Sequence, residues 1–295
     1  MAAETRSSPD YRLRAVQQIV HGQETSDGAG VNMRRIIASP ELDMLDPFLL
    51  LDAFSSENPD DYIGGFPPHP HRGFETVTYL LAGKMQHRDS AGHQGLLRSG
   101  GVQWMTAGSG IEHSEMPLQE EGELSGFQLW INLPAAKKMD PPRYQEIEPE
   151  EVPTEQRDNG VTLKVIAGTT RQGTSGPVTK VETDPSYYDV SVPAGIEYIE
   201  SVTAGHNAFL YLISGQVNIG NSLVSSGQLA VLGDGKYLQL NAVEKSRFLL
   251  VAGRPVNEPV ARGGPFVMNS DKEIRQAFQD YRAGKFGFIE PRTRS

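Results

Sequence analysis

Two short patterns in this chain carry side chains able to hold a metal ion. The first is His69-Pro70-His71 and the second is His113-Ser114-Glu115. Residues i and i+2 of an extended strand project from one face, so each pattern presents two donors side by side. Pro70 offers no ladder donor, which suits an edge strand or a strand end. Three imidazoles and one carboxylate, delivered by two neighbouring strands, suit a divalent first-row metal: Fe, Mn, Co, Ni, Cu or Zn. Magnesium and calcium prefer oxygen-rich sites and are disfavoured. Four protein ligands on a six-coordinate ion leave two positions open for a substrate or dioxygen. Either pattern alone is more often a pair of surface or hydrogen-bonded side chains. Their co-occurrence, with His113 lying 42 residues after His71 and glycine turns between, points to one site built in two halves. Five of the seven histidines fall between Gly64 and Met116. Of these, His87 and His93 lie in the polar stretch QHRDSAGHQG and are expected to face solvent. His21 and His206 have no ligand-like neighbours and are expected to be structural.

The elements that must position these donors read as short strands. Leu13–Val20, Val31–Ile37, Phe48–Phe54, Phe74–Leu81, Lys84–Arg88, Gly101–Thr106 and Ser125–Leu133 are separated by turn residues, and Pro67-Pro68 forces an extended approach to His69. Regular short strands with such punctuation indicate a barrel or sandwich. Residues 134–160 hold five prolines and the acidic run Glu146 to Asp158, and read as a solvated linker. Strands resume at Val161–Ile166 and Tyr187–Val192. The chain then repeats itself: Tyr79 to Lys84 aligns with Tyr211 to Gln216, and Ser99 to Gln103 with Ser225 to Leu229. Carried across, the alignment sets His69 on Ser201, His71 on Thr203, His113 on Gln239 and Glu115 on Asn241, so the second copy lacks every ligand. One helix is well signalled. Ser270 and Glu273 form a capping box, Ile274, Ala277, Phe278 and Tyr281 an apolar stripe, and Gly284 a C-terminal stop. The expected organisation is a metal-binding β-domain over residues 1–137, a linker over 138–160, and a metal-free β-domain over 161–295 that carries the helix at its end.

Composition narrows the function classes. A chain of 295 residues accommodates two domains of ordinary size. The absence of cysteine excludes disulfides, thiolate metal sites, cysteine nucleophiles and iron–sulfur clusters. A net charge of −10 argues against direct nucleic-acid binding. No run approaches the ~18–20 apolar residues that span a bilayer, and MAAETRSSPDYRLRAV has no apolar segment of signal-peptide type. The expected location is cytoplasmic, or nuclear in a eukaryote.

With these residues in view, the chain resembles the cupin superfamily and, within it, the pirin family. His69 to Gly83, HPHRGFETVTYLLAG, is similar to the first cupin motif. Thr106 to Pro117, TAGSGIEHSEMP, is similar to the pirin form of the second, with Gly108 in the place usually held by proline. Gly263 to Gly287 is similar to the pirin C-terminal segment. The resemblance implies a mainly β bicupin, two tandem jelly-roll-like barrels with metal only in the N-terminal one. It implies His69, His71, His113 and Glu115 as ligands and iron(II) as the metal, with Mn, Co, Ni and Cu as alternatives. In many cupins the carboxylate ligand is the glutamate of the first motif, which is Glu75 here; the pirin pattern favours Glu115 and leaves Glu75 as a partner orienting an imidazole. The implied activity is that of a quercetin 2,3-dioxygenase: a flavonol and dioxygen meet at the metal, Glu115 takes the 3-hydroxyl proton, and ring cleavage releases carbon monoxide. The family also implies a second role, an iron-dependent redox sensor that binds a transcription factor or a metabolic enzyme. Cupins include isomerases and other dioxygenases as well, for which charged side chains at the mouth of the site would select a polar substrate.

Overall fold

The structure, a computed structural model, describes residues 12–119 and 121–287. It divides into two compact units that do not follow chain order. The first holds Gly22–Val152, Lys180–Thr183 and the chain from Val256; the second holds the chain up to His21, Pro153–Thr179 and Asp184–Pro255. In chain order the strands begin with β1 (Val16–Val20), β2 (Gln23–Asp27), β3 (Val31–Ile37), β4 (Phe48–Ser56), β5 (Phe66–His71) and β6 (Phe74–Ala82). Next come β7 (Lys84–Asp89), β8 (Gln94–Arg98), β9 (Val102–Thr106), β10 (Ile111–Pro117), β11 (Leu124–Asn132) and β12 (Arg143–Ile147). The chain continues through β13 (Thr154–Gln156), β14 (Thr162–Ala167), β15 (Ser186–Val192), β16 (Glu197–Ser201), β17 (Asn207–Ser214) and β18 (Gln216–Ile219). It ends with β19 (Ser222–Ser225), β20 (Leu229–Leu232), β21 (Tyr237–Ala242), β22 (Ser246–Gly253), β23 (Ala261–Gly263), β24 (Phe266–Met268) and the helix α1 (Asp271–Arg282).

Each unit is built on two antiparallel sheets. The first unit has a seven-stranded sheet, β12-β9-β6-β11-β4-β3-β2, and a four-stranded sheet, β5-β10-β7-β8. The second has β1-β20-β17-β22-β15-β14-β13 and β16-β21-β18-β19. The central orders β9-β6-β11-β4 and β20-β17-β22-β15 correspond strand for strand, as do the two four-stranded sheets, so the repeat read from the glycine-centred hairpins is a repeat of topology. The central strands are buried on both faces, which is why FETVTYLLA and FLLLDAFSS read as near-continuous apolar runs and not as alternation. The expected linker is not free chain. Arg143–Ile147 pairs with β9 as an edge strand of the first unit, and Thr154–Gln156 pairs with β14 at the edge of the second. Prolines and acidic residues are tolerated there because an edge strand keeps one side open to solvent.

The helix forms where its caps and apolar stripe place it: Ser270 Oγ accepts from the Glu273 amide and Ile274 and Ala277 are buried. It was expected to finish the second domain; it packs instead in the first unit, while β1 joins the second. The reason lies in its partners. Phe266, Met268, Ile274, Ala277 and Phe286 form one apolar cluster. Arg72, buried next to His71, donates to Asp280 at 2.8 Å and to the Ser109 carbonyl at 2.6 Å, and its guanidinium lies 4.4 Å from the centre of the Phe286 ring. Tyr281 donates to Glu112 at 2.7 Å, and Ser90 donates to the Phe286 carbonyl at 2.6 Å. Arg72 follows β5, Glu112 lies in β10 and Ser90 follows β7, so the C-terminal segment ties all three of these strands together. Gly73 completes the contact. A Cβ there would lie 2.0 Å from the Val267 carbonyl oxygen, so only glycine lets β24 approach. Buried Lys138 donates to the Gly73, Val267 and Asn132 oxygens at 2.7, 3.0 and 2.6 Å.

Two stability measurements follow from the clasp. Asp280→Ala leaves the Arg72 guanidinium buried without its carboxylate and is expected to lower unfolding free energy by roughly 3–5 kcal/mol in denaturant titrations. A loss below about 1 kcal/mol would show that the pair is not a structural tie. Burial also depresses the Lys138 ammonium to about 8. The unfolded chain, with lysine near 10.5, then holds one more proton than the folded chain between pH 8 and 10.5, so stability from this group rises with pH across that window. The gap corresponds to at most about 3 kcal/mol. Comparing wild type with Lys138→Met between pH 8 and 10, the variant is expected to lack this upward contribution; parallel curves would refute it.

Candidate metal centre

β5 lies at the edge of its sheet and pairs with β10, whose other neighbour is β7. The register sets His113 opposite His69 and Ile111 opposite His71. The result is a cluster: one ring nitrogen each from His69, His71 and His113 lies within 4.8 Å of the others. Ring centroids stand 4.4 Å apart for His69 and His113, 4.7 Å for His69 and His71, and 4.9 Å for His71 and His113. His69 is half-buried, whereas His71 and His113 are buried. Burial first, and the neighbouring imidazoles second, hold His71 and His113 well below the ordinary histidine range, so both rings are neutral at pH 7. The Pro67 carbonyl receives His69 Nδ1 at 2.8 Å and the Pro265 carbonyl faces His71 Nδ1 at 3.4 Å. A carbonyl can only accept, so each ring donates from Nδ1, which leaves Nε2 as the nitrogen available to a metal. Neither nitrogen of buried His113 has a hydrogen-bond partner among the described residues. Three imidazoles whose nitrogens converge, one ring otherwise unsatisfied in the interior, fit a divalent metal ion.

Glu115 lies beyond a bulge that follows His113 in β10. It is outside the three-nitrogen group but lines the same cavity. Thr78 Oγ1 donates to one of its oxygens at 2.8 Å and Gln128 Nε2 to the other at 3.2 Å. Both come from the seven-stranded sheet, so these bonds tie the two sheets across the interior. Trp130 and Phe74 flank the His71 ring, with centroids 5.2 and 5.1 Å away, and limit its rotation. Sequence reasoning missed Thr78, Gln128 and Trp130. The available signal was polar residues at alternate positions inside otherwise apolar strands.

Register also aligns a polar row across five strands of the large sheet. Arg35 pairs with Asp52, Asp52 with Gln128, Gln128 with Thr78, and Thr78 with Gln103. Directly opposed residues share a face. Arg35 forks onto Asp52, Nε at 2.9 Å and Nη2 at 2.7 Å, and also reaches Asp27 at 3.1 Å. Above this row lies a cavity of about 690 Å³ that takes in His69, His71 and Glu115, aromatic and aliphatic walls from Phe54, Phe66 and Trp130, and the Arg35–Asp52 pair.

Three expectations need correction. His87 is not solvent-exposed: it is 2% exposed, sits opposite Glu115 in the register, and its ring centre is 5.7 Å from that of His113. It belongs to β7, and strand alternation turns it inward; His93, beyond the turn, is exposed as expected. Glu75 does not orient an imidazole. It accepts from Trp104 Nε1 at 3.0 Å and Thr106 Oγ1 at 2.6 Å. The Arg72-Gly73 turn separates it from His71, so strand parity does not carry from one residue to the other. In the second unit the alignment is off by one face. Gln239 and Asn241 point away from the core, and the inward positions of β21 are Leu238 and Leu240, which pack with Tyr198. The interior that holds imidazoles in the first unit is filled by apolar side chains in the second. His69, His71 and His113 form the only candidate metal cluster among the described residues.

Comparison with known proteins agrees with this architecture. Residues 30–131 match the pirin family model and residues 187–287 the pirin C-terminal cupin domain. A pirin-like protein of Caulobacter vibrioides is 50% identical over 274 residues, covering 93% of this chain and 99% of that protein. The crystal structure of a quercetin 2,3-dioxygenase from Acinetobacter baumannii superposes with a TM-score of 0.87 at 34% identity, covering 94% of this chain and all of that one. A bacterial pirin from Escherichia coli, solved in complex with nickel(II), shares the fold at 21% identity and a TM-score of 0.65, over 81% of this chain and 98% of that one. Two cupin domains in this topology, with the three-histidine cluster confined to the first, place the chain in the pirin family.

Proposed function

We propose that the chain is a metal-dependent dioxygenase of flavonols such as quercetin, with His69, His71, His113 and Glu115 holding one iron(II). The observation that carries this reading is the convergence of three imidazoles at one side of an aromatic-walled cavity large enough for a three-ring substrate. The Acinetobacter relative named as a quercetin 2,3-dioxygenase supports the substrate class, and the nickel-bound Escherichia coli pirin supports a divalent metal. When bound, the metal supplies Lewis acidity toward the flavonol oxygens and a redox-active centre for dioxygen.

The protein's own groups do the rest. Trp130, Phe54 and Phe66 give flat apolar contact to the rings and keep bulk water out. Glu115 is placed to take the proton of the 3-hydroxyl. Thr78 and Gln128 each donate to it, which fixes the carboxylate's orientation and leaves lone pairs on both oxygens for that proton. Pro67 and Pro265 fix the tautomers of His69 and His71, so the donor nitrogens are preset before substrate arrives.

Metal content and turnover test the two layers separately. His71→Ala is expected to lose the metal, measured by elemental analysis of protein purified without added metal, and turnover with it; full occupancy in that variant would reject the ligand set. Glu115→Gln is expected to keep part of the metal while turnover falls about 10²–10⁴-fold, the usual worth of a positioned base. Wild-type protein given quercetin and air should bleach the flavonol absorbance as carbon monoxide is released. Metal-loaded protein that leaves quercetin intact, yet binds a partner protein in a redox-dependent way, would replace the enzymatic reading with a regulatory one.

A further inference from the structure

The Arg35–Asp52 pair is not used by the chemistry above, yet it lines the same cavity as the metal donors. Asp52 interrupts the apolar strand FLLLDAF and is 3% exposed. As a purely structural tie it would be an odd choice, since a buried ion pair is seldom more stabilising than an apolar pair of the same volume. Its position in the polar row is informative. Gln128 touches Glu115 at 3.2 Å, and Asp52 is the next residue across the sheet, with Arg35 beyond it. Strands lie ~4.8 Å apart, so the Asp52 backbone stands roughly 5 Å from that of Gln128, and the Asp52 carboxylate lies further from Glu115 than Gln128 does. A flavonol anchored beside Glu115 by its 3-hydroxyl extends its other ring hydroxyls along this row, past Gln128 toward Asp52. The Arg35 fork occupies one lone pair on each Asp52 oxygen and holds the carboxylate still; the remaining lone pairs can accept.

We propose that Asp52, oriented by Arg35, is a specificity-determining residue: it accepts a hydrogen bond from a ring hydroxyl remote from the metal-binding end, so the cavity selects polyhydroxylated flat aromatics over bare ones. This rests on the flavonol reading. A buried acceptor left without its donor is costly, so a ligand lacking the remote hydroxyl is rejected more strongly than its smaller contact alone would dictate. Arg35 acts as a positioning residue, through Asp52.

The test compares quercetin with 3-hydroxyflavone, which keeps only the hydroxyl beside the carbonyl. Dissociation constants are read by fluorescence quenching on metal-loaded protein under nitrogen, so turnover plays no part. Wild type is expected to bind quercetin roughly tenfold to a hundredfold tighter than 3-hydroxyflavone. In Asp52→Asn the ratio is expected to fall below about threefold, while 3-hydroxyflavone itself binds within about threefold of wild type; a general loosening of the fold would weaken both ligands alike. Should that variant fail to fold, Asp52→Glu moves the carboxylate by one methylene and is expected to show the same loss of discrimination. Equal affinities in wild type, or a wild-type ratio in a folded variant, would overturn the proposal. Binding without discrimination overturns this assignment alone, whereas no binding of either flavonol overturns the flavonol reading as well.

Discussion

Three imidazoles whose nitrogens crowd within 4.8 Å, two of the rings buried, can be tolerated only if the buried rings are neutral and their N–H groups find acceptors or a ligand. Much of the first unit serves that constraint. Burial removes the proton from His71 and His113, backbone carbonyls of Pro67 and Pro265 fix two tautomers, and His113 keeps nitrogens that no protein group in the described structure satisfies. The same arrangement that is awkward for an empty protein interior is what a divalent cation requires.

Holding that arrangement requires more than two strands. β5 is an edge strand with three of its six positions, Pro67, Pro68 and Pro70, given to proline, and its ladder is correspondingly weak. The clasp by β24 and α1 supplies what the ladder lacks. Arg72 joins the residue next to His71 to the helix, Tyr281 does the same for the residue before His113, and Lys138 anchors the turn after β5. The same segment also borders the cavity, through Pro265 and Val267.

The two units show how far one frame can diverge in content. Their central strand orders match, yet the first unit places a polar row and a histidine cluster between its sheets, where the second places Tyr198, Leu238 and Leu240. Exchange of side chains at inward positions, within one kept strand order, turns a chemical interior into a packed one. The polar row has its own logic: each member lies opposite the next, so five separated stretches of chain become one surface.

By itself, the sequence determined the short-strand architecture, the repeat, the capped helix and the histidine patterns. These are local matters of spacing: period-two projection, turn glycines and capping residues act over a few positions. What only tertiary structure decided is which strands become neighbours and which way each faces. His87 looked like a loop residue until β7 paired with β10 and turned it inward, and Glu75 looked like a partner of His71 until the Arg72-Gly73 turn broke the parity between them. The helix was legible from Ser270 to Gly284, but its docking was not, because its partners Arg72 and Glu112 lie some 170 to 210 residues away in the chain. Thr78, Gln128, Asp52 and Arg35 gave only a faint signal for the same reason: the register that sets them side by side is a long-range property, fixed by packing of the two sheets and not by any local preference.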